Sequence, residues 1–127
     1  MKDQVLSIEQ MQKLKELGVD VSNASMRYYI ISSGKSCDGY VGESIVLEMS
    51  DNHIHHISDV PTFTLHDMIE LMPNAVKIED EEYYLIIDKN CTQYLSIEES
   101  PIYWNSTDNI LINTYKVLLW LAEHKYI

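Results

Sequence analysis

The chain has 127 residues, long enough for one ordinary domain and a sizeable core but too short for two independent ones. Apolar residues make up 46% and charged residues 23%, which excludes an intrinsically disordered chain. Twenty acidic against nine basic residues give a formal charge of −11, so direct binding to nucleic acid or to an anionic membrane surface is not expected.

No basic segment followed by an apolar run opens the sequence, and Ile110 to Ala122 is too short and too interrupted for a membrane span. A cytoplasmic protein is the expectation. Cys37 and Cys91 lack any CxxC spacing, so two reduced thiols are expected rather than a disulfide framework or a cysteine-rich zinc site.

In chain order, Ser7-Ile8-Glu9-Gln10 has the form of a capping box. Ile8, Met11, Leu14 and Leu17 then make an apolar stripe, with Lys13, Lys15 and Glu16 outward and Gly18 ending the helix. Met26 to Ile31 is rich in aromatic and β-branched residues and reads as a strand; Gly34 to Gly42 reads as a loop, and Ser44 to Met49 as extended. Pro61 marks a boundary, and Thr64 caps a helix with Leu65, Met68, Ile69 and Met72 on one face, stopped by Pro73.

A hairpin meander is expected next. Ala75 to Ile78 is extended, Glu79 to Glu82 an acidic turn, Tyr83 to Ile87 extended, Asp88 to Asn90 a turn, and Thr92 to Ile97 extended. Tyr83 to Ile87 is apolar on both faces, as in a central strand, whereas Leu95 and Ile97 alternate with Ser96 and Glu98, as in a half-exposed one. Ile102 to Trp104 adds a short strand before Ser106 or Thr107 caps the last helix. That helix carries Leu111, Thr114, Tyr115, Leu118, Leu121 and Ala122 along one face, widened by Ile110, Val117, Leu119 and Trp120. The predicted fold is α+β, a single domain over 1–127 with an antiparallel sheet of four to six strands packed by about three helices.

The segment from Pro61 through Thr64-Leu65-His66-Asp67-Met68-Ile69 to Pro73 resembles a recurrent segment in a family of small acidic proteins from gut Bacteroides-type bacteria and their phages or prophages. The opening Leu6 to Met11 and Glu16 to Asp20, and the closing Asp108 to Leu111 through Tyr115, Leu118, Trp120 and Tyr126-Ile127, are similar to that family as well. The resemblance implies a phage-related or mobile-element origin. It carries over no activity and no site residues.

Several motifs invite a chemical reading, each beside a plainer one. On a strand, His53 and His55 share a face and suit a transition metal, with a carboxylate or His66 to complete the set; the plainer reading is an exposed polar turn. Gly34-Lys35-Ser36 echoes the tail of a phosphate loop, but Tyr29 stands where the pattern needs glycine. Cys37 beside Lys35, and Cys91 in a turn, have no base placed near them.

Glu79, Asp80, Glu81 and Glu82 with Tyr83 and Tyr84 suit a protein-binding surface, although four like charges at a hairpin tip are commonly just solvated. Strand tyrosines at 28, 29, 83, 84, 94 and 103 either form an open aromatic face or close the core. No cofactor is implied. The expected function is noncatalytic binding to a host or phage protein, with a small metal-dependent enzyme built on His53 and His55, or an acidic DNA mimic, as alternatives.

Overall fold

In the computed structural model, residues 4–32, 43–49 and 58–127 are described. Among them are three helices and seven strands, the strands divided between two antiparallel sheets. The Ser7 hydroxyl accepts from the Gln10 amide at 3.2 Å while the Gln10 side chain accepts from the Ser7 amide at 2.8 Å, so the capping box starts α1 (Ile8–Glu16) as its sequence requires. Met11 and Leu14 are buried, and Gly18 takes the left-handed φ of 90° that favours glycine after a helix end.

The first sheet is ordered β2-β1-β3, from β1 (Met26–Ser32), β2 (Glu43–Met49) and β3 (Ser58–Thr62). Strand β3 was not expected, because Pro61 looked like punctuation. It lies inside β3 opposite Arg27, and β3 is an edge strand, where the missing amide costs no interior ladder bond. The N-terminal segment is tied alongside: the Leu6 amide donates to the Phe63 carbonyl at 3.0 Å, and the buried Thr62 hydroxyl donates to the Leu6 carbonyl at 2.6 Å.

Thr64 caps α2 (Leu65–Leu71) in a second capping box, with Asp67 as its acidic partner. The same Asp67 oxygen accepts from the Thr64 amide at 3.0 Å and from the Ser25 amide and hydroxyl at 3.0 and 2.7 Å, linking the start of α2 to the approach of β1. Partial burial pushes the Asp67 carboxyl up, but the amides and hydroxyls of Thr64 and Ser25 outweigh it and hold its pKa below the ordinary value near 3.8. A pKa depressed on folding contributes stability that is complete above the ordinary value and is lost as the pH falls through the folded-state one. Asp67→Asn is therefore expected to lower stability by about 1–2 kcal/mol at neutral pH. In acid-titrated urea unfolding the gap should close as wild-type Asp67 protonates; a gap independent of pH would refute the assignment.

The second sheet is a meander ordered β4-β5-β6-β7: β4 (Ala75–Ile78), β5 (Glu81–Ile87), β6 (Cys91–Ser96) and β7 (Pro101–Ser106). The acidic turn is tighter than expected. Glu79 and Asp80 alone make it, both left-handed with φ of 51° and 72°, and Glu81 and Glu82 belong to β5. Such two-residue turns match strand twist but favour Asn-Gly, so Glu-Asp holds them at a cost of about 1–2 kcal/mol per residue.

The inward face of β6 is opposite to expectation. Thr92, Tyr94 and Ser96 are buried while Leu95 is half-buried on the other side and Ile97 is exposed. Tyr94 sets this choice: its ring is fully buried and its hydroxyl donates to the Pro73 carbonyl at 2.7 Å, so the chain end of α2 gains a partner. Thr92 finds the Thr114 hydroxyl at 3.0 Å, and the Ser96 hydroxyl accepts from the Ser100 amide at 3.1 Å, which makes both polar groups tolerable inside.

The last helix, α3 (Ile110–Glu123), starts two or three residues later than the Thr107 or Ser106 cap expected. Asn109 is the cap, its side chain accepting from the Ile112 amide at 3.1 Å. The whole stripe from Leu111 to Ala122 is buried as its spacing predicts. It packs on β6, β7 and α2, and one core joins Leu14, Phe63, Met68, Tyr94, Val117, Leu118 and Leu121. Beside it, Trp120 stacks on Tyr103 with ring centroids 5.0 Å apart and also meets Tyr126 at 5.2 Å. No helix among the described residues is long and apolar enough to cross a membrane.

Candidate protein-binding face

Cross-strand partners in an antiparallel sheet share a face, so the register of β4–β7 sorts its side chains. Val76, Tyr83, Leu85, Thr92, Tyr94 and Tyr103 form the inner set, buried or half-buried, with α3 packed on β6 and β7. The outer set includes two rows, Ala75-Tyr84-Leu95-Pro101 and Ile86-Gln93-Trp104, with Lys77 opposite Glu82 toward the acidic end. The strand apolar on both faces, β5, is a central one as expected, with β4 and β6 on either side. Here one face is open: Tyr84 is 37%, Ile86 40% and Trp104 55% exposed.

Tyr84 had been singled out; Ile86 and Trp104 were missed because periodicity assigns an apolar residue to the interior by default. A signal was present. A meander of four strands offers two faces, and the one long apolar helix has width for one of them. The expected pair Tyr83 and Tyr84 is accordingly split, Tyr83 half-buried against the core and Tyr84 outward, its hydroxyl donating to a Glu82 carboxylate oxygen at 2.6 Å. That carboxylate raises the Tyr84 pKa, first through the hydrogen bond and then through its charge.

Glu79, Asp80, Glu81 and Glu82 are all exposed at the end of the sheet where β4 turns into β5. The β6–β7 turn, with Glu98 and Glu99, lies at the same end, since both connections are consecutive hairpins of one meander. The acidic positions singled out in the sequence thus border the apolar outer face.

The metal candidates His53 and His55 lie outside the described residues, as do Gly34-Lys35-Ser36 and Cys37. His66, suggested as a third ligand, sits exposed on α2 with its Nε2 3.5 Å from Glu70 Oε1. Among the described residues no group of three His, Cys, Asp or Glu side chains is arranged to hold a metal ion. Cys91 is half-buried; burial, then the Asp88 carboxylate, push its thiol up, which is the wrong direction for a nucleophile.

Two concavities lie elsewhere. One of about 430 Å³ runs between α1 and β3, and one of about 590 Å³ lies beside Met26, Leu65 and Leu111. Their walls are mainly apolar, with Lys15 and Glu16 on the first and His66 on the second. Neither brings together a nucleophile, a base and an orienting group, the arrangement covalent catalysis requires. No family model, curated protein or solved structure matches the chain.

Proposed function

We propose that the chain is a noncatalytic accessory protein, of phage or mobile-element origin, that binds another protein through the outer face of β4–β7. The origin rests on the family resemblance of its capped helices and its two ends. The binding role rests on one observation: Tyr84, Ile86 and Trp104 are exposed in adjoining rows that no element among the described residues covers. Contiguous exposed apolar surface on a sheet is costly in water and is the usual mark of an interaction site. Tryptophan and tyrosine also dominate binding energies, because large rigid rings bury area at small entropic cost. A flat face of this kind suits a protein surface better than a small molecule, which needs enclosure.

The test is a double substitution, Ile86→Thr with Trp104→Thr, which keeps the strand preference and removes the apolar area. Peptides selected by display against the wild-type protein are expected to lose about ten-fold or more in affinity for this variant, while its thermal unfolding stays close to wild type. Selected peptides that bind both proteins equally would remove the outer face from consideration.

A further inference from the structure

A bare sheet face can receive a second copy of the chain, a lipid surface, a nucleic acid or a different protein, and the charge around this face separates these occupants. Glu79, Asp80, Glu81, Glu82, Glu98 and Glu99 are exposed at one end of the sheet. The nearest cation on the outer face is Lys77, opposite Glu82 on β5, while Lys89 belongs to the turn at the far end. Among the described residues no ion pair with lysine or arginine neutralises any of the six. Anionic lipid and phosphate backbones are repelled by this end, and a second copy would bring together two chains of formal charge −11.

We propose that the outer face of β4–β7 receives a protein segment that combines apolar side chains with lysine or arginine. The apolar groups would lie over Tyr84, Ile86, Leu95 and Trp104, and the cations would point to the acidic end. Each half of the surface has a distinct task. The apolar rows hold the segment, and the unpaired carboxylates steer it and select its sign of charge, as rim charges do at other interfaces. The exposed Trp104 ring adds a face on which a guanidinium or ammonium can rest. This inference depends on the docking role proposed above and narrows its partner.

Isothermal titration with three peptides of equal length tests it, each alternating valine with lysine, with serine or with glutamate. The lysine peptide is expected to bind about ten-fold tighter than the serine peptide in about 0.05 M salt, with the margin nearly gone in about 0.5 M. The margin should also shrink in Glu79→Asn/Asp80→Gly/Glu98→Gln/Glu99→Asn, where Asn and Gly suit the left-handed backbone at 79, 80 and 99, so folding is retained. Both peptides should weaken with Ile86→Thr/Trp104→Thr.

Equal affinity of the lysine and serine peptides overturns the charge selection and leaves the docking role standing. If the lysine and serine peptides bind Ile86→Thr/Trp104→Thr as tightly as they bind the wild-type protein, both are overturned, because the attraction then does not belong to this face. Failure of the lysine peptide to bind overturns the inference, and the display selection still decides the docking role.

Discussion

Truncating Leu118 to alanine is expected to lower the free energy of unfolding by about 2–5 kcal/mol. Leu118 is fully buried at the centre of α3, and Leu14, Phe63, Met68 and Tyr94 belong to the same core. Removing its branched end forfeits transfer free energy and leaves a void that neighbours from α3 and the sheet cannot all close into. Domains of this size are stable by about 5–15 kcal/mol, so a large share of the total is at stake. Urea unfolding monitored by circular dichroism checks it, with the half-buried Leu119→Ala as the milder comparison. A loss below about 1 kcal/mol would mean that α3 does not lie in the core.

The second large effect belongs to a polar residue. Asn113 is fully buried, and its amide oxygen accepts from the Thr107 hydroxyl at 2.6 Å and the Asn105 amide at 2.9 Å, while its nitrogen donates to the Thr107 carbonyl at 3.1 Å. These bonds fasten the end of β7 and the cap region to the first turns of α3. Asn113→Leu keeps the volume but strands three partner groups, each costing about 1–3 kcal/mol where water cannot reach it. A net loss of about 2–4 kcal/mol is expected, since Asn105 and Thr107 retain some solvent access. The contrast is Thr92→Val with Thr114→Val, which removes both members of a buried hydroxyl pair and should be close to neutral. If the double valine variant is the more damaging of the two, the roles assigned to these networks are wrong.

The helices were legible in the sequence because their information is local. A serine or threonine cap, a partner three residues on and a stripe at helical spacing are all contained within one element, and Ser7, Thr64 and the Leu111 to Ala122 stripe suffice to place α1, α2 and α3. The strands of the meander were legible for the same reason. Which way each strand faces was not, because the choice depends on partners far along the chain. Tyr94 turns inward for the Pro73 carbonyl and for Trp120, whose ring centroid lies 6.1 Å away, and this carries Leu95 outward against its hydropathy. Strand β3 was hidden because Pro61 is acceptable at a sheet edge, and edges are a property of the assembled sheet. The acidic half of the candidate face was visible as a charge run; its apolar half appeared once registers were known, since Ile86 and Trp104 are separated by the whole of β6.

That apolar half is the point on which the functional reading turns, and the chain's two tryptophans report on it separately. Acrylamide quenching of Trp120→Phe isolates Trp104 on the outer face, and that of Trp104→Phe isolates Trp120, packed between Tyr103 and Tyr126. Trp104 is expected to emit at longer wavelength and to be quenched several-fold more efficiently than Trp120. Equal quenching, or a Trp104 shielded more than Trp120, would contradict an uncovered sheet face and with it the proposed docking surface.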